Sequence, residues 1–180
     1  MKELFTEKQI KNRVKDIASD IHFNHYYTPE HPSNPITIIG LLTGAFMFYT
    51  DLVRNIPTTV NCDFMRVKSY DKPKLQGTVN IISDITTDIK DHHIYILDDI
   101  FDTGNTMKAV VEYLRSKEPK AISIITLLKR KNSKGNWDPF DDPAIYSTHY
   151  GFEIDNEWVI GYGLDDESGH SRNFNQIYSI

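Results

Sequence analysis

The stretch Ile94-Tyr95-Ile96-Leu97-Asp98-Asp99-Ile100-Phe101-Asp102-Thr103-Gly104-Asn105-Thr106 runs four apolar or aromatic residues straight into two adjacent carboxylates. A third acid follows three positions later, and then a Thr-Gly-Asn-Thr turn. A short continuous apolar run suits a parallel strand covered on both faces, and open sheets of that kind bind ligands beyond the carboxyl ends of their strands. Asp98 and Asp99 are therefore expected to face a site rather than the core. The small residues of the turn open a helical pattern, which presents backbone amides and the positive end of a helix dipole to an anion such as phosphate. Paired acids accept hydrogen bonds from vicinal hydroxyls, or hold a magnesium ion through water. Phosphate, diol and metal together suggest a phosphorylated sugar.

Outward from this stretch the pattern repeats. Met107, Val110, Val111 and Leu114 recur at three and four residues, an amphipathic helix that would pack on the sheet. Another apolar strand, 121–128, ends at Lys129-Arg130. On the N-terminal side, 36–42 reads as a buried strand, followed by Thr43-Gly44 and a helix to about Asn55, a second strand-turn-helix corner suited to an anion. Further strands are expected over 60–70 and from Asn80 to Ser83. Thr6-Glu7-Lys8-Gln9 has capping-box spacing, and Ile10, Val14, Ile17 and Ile21 then share one helix face. The segment from His25 to Pro35 holds three prolines and predicts a surface loop, while 131–144 predicts a second polar loop. His92 and His93 point to opposite faces of an extended chain, which argues against a shared metal.

Two rival readings fail on spacing. A haloacid-dehalogenase nucleophile needs acids two apart, whereas Asp99 and Asp102 are three apart, and the G-x-x-x-x-G-K-[ST] run of a P-loop does not occur. At 180 residues the chain suits one domain with a substantial core. Its net charge of -5 argues against nucleic acid or an anionic membrane as partner. Cys62 stands alone, so no internal disulfide framework exists, and the N-terminus lacks the apolar core of a signal peptide; a cytoplasmic location is expected. The longest mainly apolar run, 36–49, is too short to span a membrane.

The run DDIFDTGNT resembles the phosphoribosyl-diphosphate (PRPP) motif of type I phosphoribosyltransferases, and DFMRVKSY at 63–70 resembles the hypoxanthine-guanine branch of that family. The resemblance implies an α/β fold: a Rossmann-like central parallel sheet flanked by helices, in a single domain over 1–180. A small hood would be formed by the N-terminal segment and about 150–180. It also implies the reaction, in which a purine base and PRPP give a nucleoside 5'-monophosphate and pyrophosphate, with hypoxanthine and guanine as bases and Mg2+ as cofactor.

The site residues follow by the same resemblance. Asp98 and Asp99 would orient the ribose hydroxyls and the metal, and Thr103, Gly104, Asn105 and Thr106 would cradle the 5'-phosphate. Asp102 would act as general base or proton partner at the imidazole-ring nitrogen, and Lys129 would hold the exocyclic oxygen. Thr43 and Gly44 occupy the pyrophosphate loop, whose first peptide can be cis in the family; Thr43 departs from the usual lysine there. Lys68 and Arg172 would contact pyrophosphate, and Ser69-Tyr70 would sit on a loop that closes over the site. Trp158 would stack on the base, Val159 would read its edge through the backbone, and Asp165 would reach the metal. A homodimer or homotetramer is the implied assembly. The alternatives are an enzyme preferring xanthine or another base, and a PRPP-sensing regulator that binds nucleic acid, which would favour a basic surface that this chain lacks.

Overall fold

The computed structural model describes residues 1–27, 35–69, 79–131, 137–139, 141–166 and 168–180. Six strands make the larger sheet, in the order β4 (Val79–Ser83), β3 (Val60–Ser69), β2 (Ile36–Leu42), β5 (His93–Phe101), β6 (Ala121–Arg130), β7 (Ile145–Ile154). All neighbours pair parallel except β4, which runs antiparallel to β3. The chain leaves β2 towards β3 on one side and reaches β5 on the other, so the strand order reverses between β2 and β5. In doubly wound sheets such a reversal opens a crevice at the strands' carboxyl ends.

Alternation along β5 explains its uninterrupted apolar run. Tyr95 and Leu97 pack into the core beneath α1 (Glu7–Tyr27) and α2 (Phe46–Asn55), while Ile94 and Ile96 pack on the opposite face with Met107, Val110, Val111 and Leu114 of α3 (Asn105–Arg115). The strand buries both faces, and only where it reaches the crevice can it carry charge.

The capping box at α1 forms as the spacing predicts. The Gln9 N–H donates to Thr6 Oγ1 at 3.2 Å, and the Thr6 N–H donates back to Gln9 Oε1 at 2.9 Å. The helix runs further than the proline-rich segment suggests: His25, Tyr26 and Tyr27 belong to it and not to a loop. His25 is buried, with its ring stacked on His93 and close to Tyr95, and that packing carries the helix past the expected end. His31, and most of the 28–35 stretch expected to be a loop, lies outside the described residues.

A second, three-stranded antiparallel sheet joins β1 (Lys2–Phe5), β9 (Ile177–Ser179) and β8 (Val159–Ile160). Of the 150–180 segment expected in the hood, 150–154 lie instead in β7 of the larger sheet, whereas β8 and β9 lie in the small one. Phe5 stacks on Phe152 at 4.1 Å, and the Tyr162 hydroxyl donates to Asp51 Oδ2 at 2.7 Å, so the small sheet is tied to both β7 and α2.

Candidate active site

The crevice beyond β2 and β5 contains a cavity of about 270 Å³ lined by Thr43, Gly44, Asp98, Asp99, Asp102 and the first residues of the turn into α3. Parallel pairing of Gly40 with Leu97 sets the two strand ends side by side, so the loop after β2 meets the acids after β5. The Leu42–Thr43 peptide is cis.

Contact there is closer than any side chain would permit. A β-carbon at Gly44 would fall 1.6 Å from Asp99 Oδ2, and one at Gly163, whose φ is +104°, would fall 2.1 Å from the Gly44 carbonyl oxygen. Gly44 is thus held between the acidic strand end and the turn leading from β8, a join that the sequence reading did not include.

Asp98 and Asp99 both resist ionisation. Burial pushes the Asp98 carboxyl well above the usual carboxylate range, and the Asp99 charge beside it adds to the effect. Burial also raises Asp99, against a hydrogen bond with Asp98 and the nearby Arg172 guanidinium. A cation or a set of hydroxyl donors would relieve both. Among the described residues no group of three His, Cys, Asp or Glu side chains is placed to hold a metal ion on its own, and Asp165 stands apart from Asp98 and Asp99 in this arrangement. Instead it pairs with Arg172 Nη2 at 2.5 Å, while Arg172 Nη1 donates to the Gly163 carbonyl. Two carboxylates nonetheless fit magnesium, which keeps several waters and is held by one or two acids together with substrate phosphates.

Gly104 precedes α3 with a left-handed φ of +77°, and the Asn105 N–H that opens the helix donates to Thr103 Oγ1 at 3.4 Å. A β-carbon there would sit 2.8 Å from the Phe101 ring, so glycine alone lets the turn close. Asn105 opens the helix, and Thr103, Gly104 and Thr106 line the cavity.

The remaining expected residues stand further out. Val67 reaches the cavity and its neighbour Lys68 is exposed on β3; Ser69 ends that strand. Tyr70 and the loop expected after it lie outside the described residues. Lys129 is not part of the cavity lining; its Nζ stands 5.2 Å from the centroid of the Tyr150 ring. Trp158 is 54% exposed, so it is not a core residue, and Val159 is buried as β8 begins. Asp102 pairs with Arg130, whose Nε lies 3.0 Å from Asp102 Oδ1. Nothing local in the sequence marks Arg130 as functional; the signal for it is that it follows Lys129 and must point to the other face of β6.

The phosphoribosyl transferase domain model matches residues 1–167. The chain is 36% identical over its whole length to the hypoxanthine-guanine phosphoribosyltransferase of Aquifex aeolicus (strain VF5), covering 94% of that protein. It is 34% identical to the Bacillus subtilis (strain 168) hypoxanthine-guanine phosphoribosyltransferase, over 91% of this chain and 84% of that one. Among solved structures, a hypoxanthine phosphoribosyltransferase from Staphylococcus aureus superposes with a TM-score of 0.87 at 31% identity, covering all of this chain and 91% of the other. The Trypanosoma cruzi enzyme, in complex with its product IMP, gives 0.84 at 30% identity, covering 100% and 94%.

Proposed function

The chain belongs to the phosphoribosyl transferase family, and from that premise we propose that it salvages purines by transferring the 5-phosphoribosyl group of PRPP to hypoxanthine or guanine. The products are IMP or GMP and pyrophosphate. One observation carries the reading: the carboxyl end of β5, the start of α3 and the Gly44 loop converge on one cavity, and they supply acids for a sugar diol and a helix N-terminus for phosphates.

As the bond from the anomeric carbon to pyrophosphate lengthens, positive charge grows on the ribose and negative charge on the leaving group. Asp98 and Asp99 orient the ribose hydroxyls and face the growing positive charge. The backbone of Thr103 to Thr106 holds the 5'-phosphate, fixing the sugar between attack and departure. The Thr43-Gly44 backbone, Lys68 and Arg172 receive the leaving pyrophosphate. Asp102 accepts the proton from the imidazole-ring nitrogen of the base as that nitrogen bonds to the anomeric carbon, and Lys129 holds the exocyclic oxygen. The exposed face of Trp158 offers a stacking surface for the base, and Val159 reads the edge of the base through its backbone. Asp98 and Asp99 would hold a magnesium ion together with the diphosphate, which when bound would supply charge neutralisation for the leaving group, and Asp165, paired with Arg172, is the further acid assigned to it.

The test is pyrophosphate release from PRPP and magnesium in the presence of hypoxanthine, guanine, xanthine, adenine or uracil. Turnover with hypoxanthine and guanine is expected; activity confined to adenine or uracil, or none, refutes the reading, and a preference for xanthine corrects the base. The expected assembly is a homodimer or homotetramer, to be read by light scattering. No helix among the described residues is long and apolar enough to cross a membrane.

A further inference from the structure

We infer that Arg130 is a positioning residue that joins the turn before the base-stacking tryptophan to the Asp102 carboxylate, so that one guanidinium aligns base and proton acceptor together. The inference rests on the proposed role of Asp102. Three contacts define it. Nη1 donates to the carbonyls of Asp155 at 2.7 Å and Glu157 at 3.0 Å, and Nε faces Asp102 Oδ1 at 3.0 Å.

The two ends of this bridge differ. The Arg130 side chain is only 13% exposed, whereas that of Asp102 is 56% exposed. The carbonyls fix the guanidinium from the β7–β8 side whether or not Asp102 is engaged. Asp102 alone, at an open strand end, could take several rotamers; a donor already held in place selects one, leaving Oδ2 for the ring nitrogen. The carbonyls that hold Arg130 belong to the residues leading into Trp158 and Val159, so a shift of the base-binding strand moves the acceptor with it. Lysine cannot substitute, because its single ammonium lacks a planar fork with donors at fixed angles. Lys129 and Arg130 divide the labour through strand alternation: one turns towards Tyr150, the other towards Asp102.

The measurement is steady-state kinetics on the full chain for Arg130→Met, Arg130→Lys, Arg130→Gln, Asp102→Asn and the Arg130→Met/Asp102→Asn pair, with thermal melts of each. Misplacing the acceptor should lower kcat by about tenfold to a hundredfold in Arg130→Met, with the KM for PRPP held within about threefold. Arg130→Lys should recover less than half of that loss on a logarithmic scale, and the double variant should be no slower than Asp102→Asn alone. Arg130→Gln keeps a donor for the carbonyls but no cation, and carries the test if Arg130→Met does not fold. Full activity in Arg130→Met or Arg130→Gln, or losses that multiply with Asp102→Asn, overturns the positioning role. Near-normal turnover in Asp102→Asn overturns the general base itself, where about two to four orders of magnitude of loss are expected.

Discussion

Asp98 shows how a single residue sets function against stability. Burial and the Asp99 charge raise its carboxyl well above the ordinary range, so folding shifts it towards the protonated form. A group raised on folding contributes stability below its unfolded value, and that stability is lost as pH rises through the folded value. Asp98→Asn keeps the shape and removes the charge. In urea titrations without ligand it should therefore be more stable than the parent at neutral pH, and the gap should close as pH falls to about 4, near the unfolded value. On the proposed role of Asp98 in orienting the ribose hydroxyls, the same change removes an acceptor for them and should raise the KM for PRPP by about tenfold or more. A less stable Asp98→Asn at pH 7 would count against this account. The residues of this acidic stretch are the most legible part of the site, because their chemistry and spacing are local. Arg130 was not legible: its carbonyl partners lie 25 and 27 positions later in the chain, and Asp102 lies on the other side, just past the end of β5.

Elements were legible in proportion to their length and burial. The strand β5 and helix α3 declare themselves through an apolar run and a repeat of three and four, each long enough to have a period. The small sheet does not, since β8 has two residues and β1 four, and the pairing of β1 with β9 brings Lys2 opposite Ser179. No window along the chain contains both partners. At the start of α1 the signal is again local. The reciprocal bonds of Thr6 and Gln9 satisfy two amides at the helix end, so Thr6→Ala should cost about 1 kcal/mol in denaturant unfolding, and Thr6→Ser much less. Equal losses for the two would show that the methyl group of Thr6, and not its hydroxyl, matters.

Across the whole molecule, two groups outside the acidic pair contribute stability that is lost with acid in two stages. Burial lowers the pKa of His149 below its ordinary value, and its Nε2 lies 3.2 Å from Ser147 Oγ. The unfolded chain binds that proton more readily, so stability is retained above about pH 6.5 and declines as pH falls below it. His149→Gln should flatten that first decline in urea midpoints measured from pH 8 to 5; an unchanged slope would exclude His149 as its source. The second stage begins near pH 4. Burial opposes ionisation of Asp63, but the Thr87, Phe64 and Thr86 amides outweigh it and hold the carboxyl below the usual range. That stability is present above the unfolded value and lost beneath it. At this scale the contact between Gly44 and Gly163 also acquires a meaning. Backbone meets backbone with no side chain to yield between them, and Tyr162 beside Gly163 is anchored to α2. The Thr43-Gly44 loop and the small sheet are therefore coupled like two arms joined at a pair of hydrogen-only positions. On the proposed roles of those two parts, a methyl group added at Gly163 would disturb the hold on both substrates together.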